Sequence, residues 1–257
     1  MIQAVTFDVT HTLIHCPRLG AIYSEVMGRH GTEVAPAEAL RLVGVVWREL
    51  ACSAAPCRDR WSAHPEGPRG WWMRFVERFC EHLEAPPPSR FLAAELFHRF
   101  GSAEAWEVYP EVPAVLDALR SGGVRVGVIS NWDTRLPELL RQLDLAQRFD
   151  ALVYSSAVGV EKPDARIFRR ALRELGVEAG AALHVGDNPL EDVEGALAAG
   201  LRALLLRRGA GPPAIAGRAA ARGAGQAAAG LTDLAPLPAM VAAAGAVAAR
   251  SGGAGSL

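Results

Sequence analysis

The stretch Ile2-Gln3-Ala4-Val5-Thr6-Phe7-Asp8-Val9-Thr10-His11-Thr12-Leu13 decides the fold. Ile2 to Phe7 reads as a short buried strand, and it delivers a carboxylate, Asp8, where the strand stops and backbone groups become free. The next comparable strand, Val124 to Ile129, comes much later, so something is inserted between the two. Leu19 to His30, Pro36 to Leu50, Gly70 to Leu83 and Ser89 to Phe100 carry apolar residues at helical spacing, with Gly or Pro between them. Four helices of that kind predict a small bundle.

From about Tyr109 the pattern alternates between helix and strand. Helical spacing marks Val112 to Arg120, Leu136 to Leu143, Ala165 to Leu175 and Leu190 to Ala199. Strand-like runs mark Val124 to Ile129, Ala151 to Tyr154, Ala182 to Val185 and Ala203 to Leu206. The alternation predicts a parallel sheet covered on both faces, an α/β, Rossmann-like core with an inserted α-helical domain. Ligands in such sheets bind at the carboxyl ends of strands, near a topological switch point. Asp8, Ser130 and Asp187 each occupy such an end, so residues far apart in sequence are expected to converge. The expected division is a core of residues 1–15 and 106–241 and a helical insertion of residues 16–105. Leu231 to Val241 is expected as one last helix docking on the core. The Ala- and Gly-rich residues 242–257 offer too little bulky apolar surface to offset ordering entropy and are expected to form a flexible tail.

Half of the 257 residues are hydrophobic, enough for a substantial core. The formal net charge of −1 gives no general attraction to nucleic acid or acidic membranes, so an anion must be bound by a local arrangement of donors. Cys16, Cys52, Cys57 and Cys80 lack the spacing of a zinc site and read as ordinary reduced thiols. No apolar stretch approaches the roughly 20 residues that span a bilayer. Removing a presequence of the usual length, about 15 to 30 residues, would delete Asp8, which makes a cytoplasmic location the expectation.

Lys162 is the only lysine in a chain with 27 basic residues, and it sits in Glu161-Lys162-Pro163-Asp164. A compact ammonium on a flexible stem suits a confined site that must neutralise a carboxylate and a bound anion together. Asp8 is then a candidate nucleophile, whose repulsion of an incoming phosphate such a cation would cancel. Ser130 and Asn131 supply a hydroxyl and an amide for phosphoryl oxygens. Asp187 and Asp192, in Gly186-Asp187-Asn188-Pro189-Leu190-Glu191-Asp192, offer hard oxygen ligands suited to Mg²⁺. Each piece alone has a structural reading: a strand-end Asp caps helices, Ser-Asn makes turns, and a first-turn acid favours the helix dipole. Their order and shared placement at strand ends argue for a site.

These residues, in this order, resemble the four motifs of the haloacid dehalogenase superfamily: Asp8-Val9-Thr10, Ser130-Asn131, Lys162-Pro163-Asp164, and Gly186-Asp187 with Asp192. The resemblance spans residues 2 to about 207, and the helical insertion looks like that superfamily's α-helical cap. It implies a phosphatase acting on a small phosphorylated substrate. In that chemistry Asp8 forms an aspartyl phosphate, and Mg²⁺ is held by Asp8, Asp187 and the Thr10 carbonyl. Ser130 and Lys162 hold the phosphoryl oxygens, and Asp192 supports the metal or Lys162.

The sequence departs from the family's phosphatases at Thr10, where those have a second Asp as general acid and base. Losing that group implies a weak or selective phosphatase with a long-lived intermediate, since acid-base catalysis contributes about 10² to 10⁴-fold. A second reading is a catalytically silent protein that keeps phosphate and Mg²⁺ affinity. A third is a metal-independent 2-haloacid dehalogenase, which the carboxylate set disfavours. His11 stands where glycine is usual. In extended chain, alternation would point its imidazole away from the face shared by Asp8 and Thr10. In the insertion, Trp71 and Trp72 are expected mainly as core, and Arg58, Arg60 and Arg69 as solvated, with substrate selection the alternative role.

Overall fold

The computed structural model describes residues 1–53, 58–209 and 231–252. Its strands, in chain order, are β1 (Ala4–Phe7), β2 (Ile14–His15), β3 (Glu107–Val108), β4 (Arg125–Ser130), β5 (Ala151–Tyr154), β6 (Ala182–Gly186) and β7 (Arg202–Leu205). Five of them form one parallel sheet in the order β5-β4-β1-β6-β7. The chain builds outward from β1 through β4 to β5, then crosses to the other side of β1 for β6 and β7. That reversal makes β1 the switch point, and it places Asp8 at the mouth of the crevice that such sheets use for ligands. Every residue of β1 is buried, as the middle strand of a sheet covered on both faces must be.

Between β2 and β3 the described residues form four α-helices, α1 (Leu19–Arg29), α2 (Pro36–Ser53), α3 (Gly67–His82) and α4 (Arg90–Arg99). They enclose a hydrophobic cluster of their own, with Tyr23, Val46, Phe75, Phe79 and Leu96 inside it. Helices α1 and α2 touch at Gly20, where a β-carbon would lie 2.2 Å from the Pro36 carbonyl oxygen. The strands β2 and β3 pair antiparallel, Ile14 with Val108 and His15 with Glu107, so chain entry to and exit from the bundle are tied together. Two-residue strands carry no periodic signal, which is why the sequence did not reveal this pair.

The sheet is covered by α5 (Val112–Ser121), α6 (Leu136–Gln142), α7 (Ser155–Val158), α8 (Ala165–Leu175), α9 (Gly195–Ala198) and α10 (Leu237–Gly252). Helix α8 shows how local sequence fixes an element. Asp164 caps its first turn by accepting the Arg166 N–H, Gly176 ends it in the left-handed conformation, and Ile167, Phe168, Ala171, Leu172 and Leu175 make one buried stripe. Ahead of α9, Pro189–Glu194 forms a wider π-helical turn rather than the regular helix expected from Leu190.

The final helix also differs from expectation. Docking is done by Leu234, Leu237 and Val241, which join the main core, but the helix runs on to Gly252. Alanine, the best helix former, favours such an extension. The start of the expected helix is instead a bridge, Leu231 with Leu206. Residues 210–230 and the end of the expected flexible tail, residues 253–257, lie outside the described residues, as does Cys57. Cys16 and Cys80 are buried free thiols. Among the described residues no helix is long and apolar enough to cross a membrane.

Candidate active site

The carboxyl ends of β1, β4 and β6 bring the acidic and basic candidates together. β1 pairs with β4 up to Phe7–Val128 and with β6 up to Phe7–Val185, so Asp8, Ser130 and Asp187 emerge on one edge of the sheet. Ser130 Oγ donates to Asp8 Oδ1 at 3.0 Å. Lys162 Nζ donates to the same Asp8 oxygen at 2.6 Å and to Asp192 Oδ1 at 2.5 Å. Lys162 itself is only 2% exposed, so its charge is committed to this cluster rather than to solvent.

Asp192 reaches the end of β6 because Gly186 has no side chain: a β-carbon there would fall 2.2 Å from Asp192 Cγ. Its second oxygen, Oδ2, accepts the Asn188 N–H at 2.9 Å. The Asn188 side chain in turn accepts from the N–H groups of Leu190 and Glu191, which starts the π-helical turn. Asn131 does not project its amide freely into the site. Its Oδ1 accepts the Lys162 N–H at 2.7 Å, while its Nδ2 donates to the Lys162 carbonyl at 3.0 Å and to Glu191 at 3.1 Å. It therefore clamps the loop that carries Lys162.

Thr10 lies half-buried in the turn after β1, bridged to Ile14. The turn is held by Leu13 N–H donating to the Val9 carbonyl at 2.8 Å and His11 N–H donating to the Ile14 carbonyl at 2.7 Å. His11 has φ +59°, the left-handed region natural to glycine, so the chain is not extended there. The alternation that would have turned its imidazole from Asp8 consequently does not apply. Burial lowers the pKa of His11, while the charge of Asp8 opposes that shift.

Electrostatically the site is short of positive charge. Burial pushes Asp187 up to about 8, with the charges of Asp8 and Asp192 adding to the effect. Burial also raises Asp8, against the pull of Lys162. Burial alone would raise Asp192 too, but Lys162 and His184 outweigh it and hold that carboxyl well below the usual range. Lys162, which burial would make less basic, is held above its ordinary value by Asp192 and Asp8. Carboxylates that retain protons because they crowd one another are relieved by a divalent cation. One oxygen each from Asp8, Asp187 and Asp192 lies within 4.8 Å of the others, and three such hard oxygens fit Mg²⁺.

Several residues around the site were not anticipated. Glu191 is pushed up to about 7 by burial, despite Lys162 and Arg60. Arg60, expected in solvent, is buried and forms a two-point ion pair with Glu161, Nε to Oε2 at 2.8 Å and Nη2 to Oε1 at 3.1 Å. Trp72 Nε1 donates to Asp133 Oδ2 at 2.7 Å, and Arg135 brackets the same carboxylate. Trp71 is core, as expected, Arg58 is exposed, and Arg69 stacks over Phe97. His184 is wholly buried against Asp192. Its signal in the sequence was a polar ring inside the apolar run Ala182-Leu183-His184-Val185.

Comparison with known proteins follows the same lines. Residues 2–200 match the family model of haloacid dehalogenase-like hydrolases. The chain is 33% identical over 220 residues to haloacid dehalogenase-like hydrolase domain-containing protein 3 of Homo sapiens, covering 83% of this chain and 84% of that protein. It is 30% identical over 217 residues to a glyceraldehyde 3-phosphate phosphatase of Methanopyrus kandleri, covering 81% and 85%. Among solved structures it resembles a 2-haloacid dehalogenase from Pseudomonas syringae, with TM-score 0.60, 27% identity and coverage of 95% and 99%.

Proposed function

Since the chain belongs to the haloacid dehalogenase-like hydrolases, we propose that it is a slow or selective Mg²⁺-dependent phosphatase of small phosphorylated metabolites, working in the cytoplasm through an aspartyl phosphate on Asp8. The observation that supports this reading best is the pairing of Lys162 Nζ with both Asp8 and Asp192, beside a crowded set of carboxylates. A nucleophilic carboxylate facing an anionic substrate needs that cation. The phosphatase from Methanopyrus kandleri supports a small phosphorylated substrate.

In this reading an oxygen of Asp8 attacks phosphorus as the bond to the leaving oxygen breaks, and the leaving alkoxide takes a proton from solvent. Water then attacks the aspartyl phosphate, which breaks the new bond, releases inorganic phosphate and restores Asp8. Ser130 and Lys162 hold the phosphoryl oxygens, and Asn131 fixes the loop behind Lys162. Mg²⁺ bound by Asp8, Asp187 and the Thr10 carbonyl, with Asp192 close behind, would offset phosphoryl charge. Thr10 supplies no useful acid, so poor leaving groups depart slowly and the intermediate persists. The helices of residues 16–105 act as a cap that shields the site from water, joined to the core through Arg60–Glu161 and Trp72–Asp133.

Thr10 also favours a second reading, a chemically silent protein that binds Mg²⁺ and phosphate. Hydrolysis of an aryl phosphate by wild type, Asp8→Asn and Thr10→Asp separates the two. Mg²⁺-dependent turnover that vanishes in Asp8→Asn and rises in Thr10→Asp supports the phosphatase. An inert wild type with an active Thr10→Asp supports the silent protein. Halide release from a 2-haloacid without metal would instead favour a dehalogenase like the Pseudomonas syringae neighbour.

A further inference from the structure

Thr6 and His184 are direct partners across β1 and β6, on the same face of the sheet. Both are wholly buried, so the imidazole must find partners for both nitrogens within the protein. It finds two. Nδ1 lies 2.9 Å from Thr6 Oγ1, and Nε2 lies 3.1 Å from Asp192 Oδ1. The ring of Phe168 closes the site from the side, edge-on at 5.2 Å.

The partners dictate the tautomer. An ionised carboxylate only accepts, so Nε2 carries the hydrogen that points at Asp192, and Nδ1 accepts the hydroxyl hydrogen of Thr6. Burial lowers the pKa of the ring against the pull of Asp192. The result is a buried chain running Thr6, His184, Asp192, Lys162, Asp8, with no side chain in it more than a tenth exposed. Within it Asp192 Oδ1 receives both His184 and Lys162, while Oδ2 receives the Asn188 N–H. Three donors hold a short carboxylate in one rotamer.

We propose that His184 is a positioning residue: it fixes Asp192 as the partner of Lys162, and so sets the place of the lysine charge beside Asp8. Its contribution depends on the donor at Nε2 and not on ring volume. The proposal rests on the reading of Asp8 and Lys162 as the phosphoryl site, but its first consequence is structural and is measurable without turnover.

Lys162 is the only lysine, so protein grown on lysine labelled with ¹³C at the ε carbon gives a single lysine signal. In His184→Leu, Asp192 is released from one donor. The Lys162 signal is expected to move or broaden, and kcat for an aryl phosphate to fall about 10 to 100-fold, the usual cost of losing such an outer hydrogen bond. His184→Gln, whose amide N–H donates from a similar distance, is expected to return the signal toward wild type and restore most of the rate. Thr6→Val keeps its shape and loses only the hydroxyl, and is expected to displace the Lys162 signal in the same direction by less. A folded His184→Leu with the wild-type Lys162 signal and kinetics would overturn the proposal and leave the ring as core packing. Should His184→Leu not fold, a folded Thr6→Val with the wild-type Lys162 signal and kinetics overturns it equally. An inactive wild type would sink the phosphatase reading alone, since the lysine signal does not depend on activity.

Discussion

Arg60 of the helical insertion grips Glu161, the neighbour of Lys162, through two parallel hydrogen bonds in a site where their side chains are 6% and 10% exposed. The pair joins the helical insertion to the loop that carries the chain's only lysine. A planar fork on a carboxylate fixes orientation as well as distance. Arg60→Ala would strand the Glu161 charge, and breaking one side of a buried pair costs about 3–5 kcal/mol. Denaturant unfolding should show a loss on that scale. Arg60→Lys should recover only part of it, since the ammonium cannot reproduce the fork.

Gly186 is required by the approach of Asp192, and the expected consequence is specific. Gly186→Ala must move Asp192 away from its 2.2 Å overlap with the new methyl group, costing about 1–3 kcal/mol or more in packing. Lys162 loses its second partner, and turnover is expected to drop at least 10-fold. Gly180→Ala, where nothing lies within 4 Å of the new carbon, is the control and should leave turnover unchanged.

Mg²⁺ binding should depend on pH through Asp187. Burial and the charges of Asp8 and Asp192 raise this carboxyl from 3.8 to about 8, so at neutral pH the metal-free protein holds a proton there that the metal must displace. Affinity is expected to rise with pH up to about 8, with proton release that calorimetry in buffers of different ionisation enthalpy detects. Constant affinity between pH 6 and about 8 would contradict the role of Asp187.

The same shifts set the pH dependence of metal-free stability, with opposite signs. For Asp187 the folded state binds the proton more tightly than the unfolded chain, so its contribution lowers stability as pH rises from 3.8 toward about 8. Asp192 is depressed, so its stabilisation is present above 3.8 and is lost as pH falls below that value. Lys162 is raised, so its stabilisation is complete below 10.5 and is lost as pH climbs through its higher folded value. Adding Mg²⁺ should raise Tm, and raise it more at pH 8 than at pH 6, because it removes the Asp187 penalty.

Much of this was legible in the chain because it lies where patterns change. The apolar runs ending at Phe7, Ile129 and Val185 announce strands, and Asp8, Ser130 and Asp187 follow at their ends. The lone lysine was visible from composition, but its place between Asp8 and Asp192 is set by the fold of the loop that carries it, which the sequence does not announce. What stayed hidden was non-local or conformational. Nothing local to Arg60 points to Glu161, 101 residues on. His11 was misread because alternation assumes extended backbone, and its φ is positive. Asn131 stands beside Lys162, but only geometry reveals that its amide is engaged with the Lys162 backbone and Glu191. The only sequence signal of His184 is a single polar ring in an apolar strand, and its partners Thr6 and Asp192 are set by the fold.

The most direct test of the account is to trap the intermediate. Wild-type protein mixed with Mg²⁺ and an aryl phosphate, quenched in acid and digested, should carry one phosphoryl group on the peptide containing Asp8. Thr10→Asp should carry less at steady state while turning over faster, since a carboxylate at that position speeds breakdown. A wild-type protein that hydrolyses the ester with no phosphate on Asp8, or that carries it elsewhere, would contradict the assignment of Asp8 as the nucleophile.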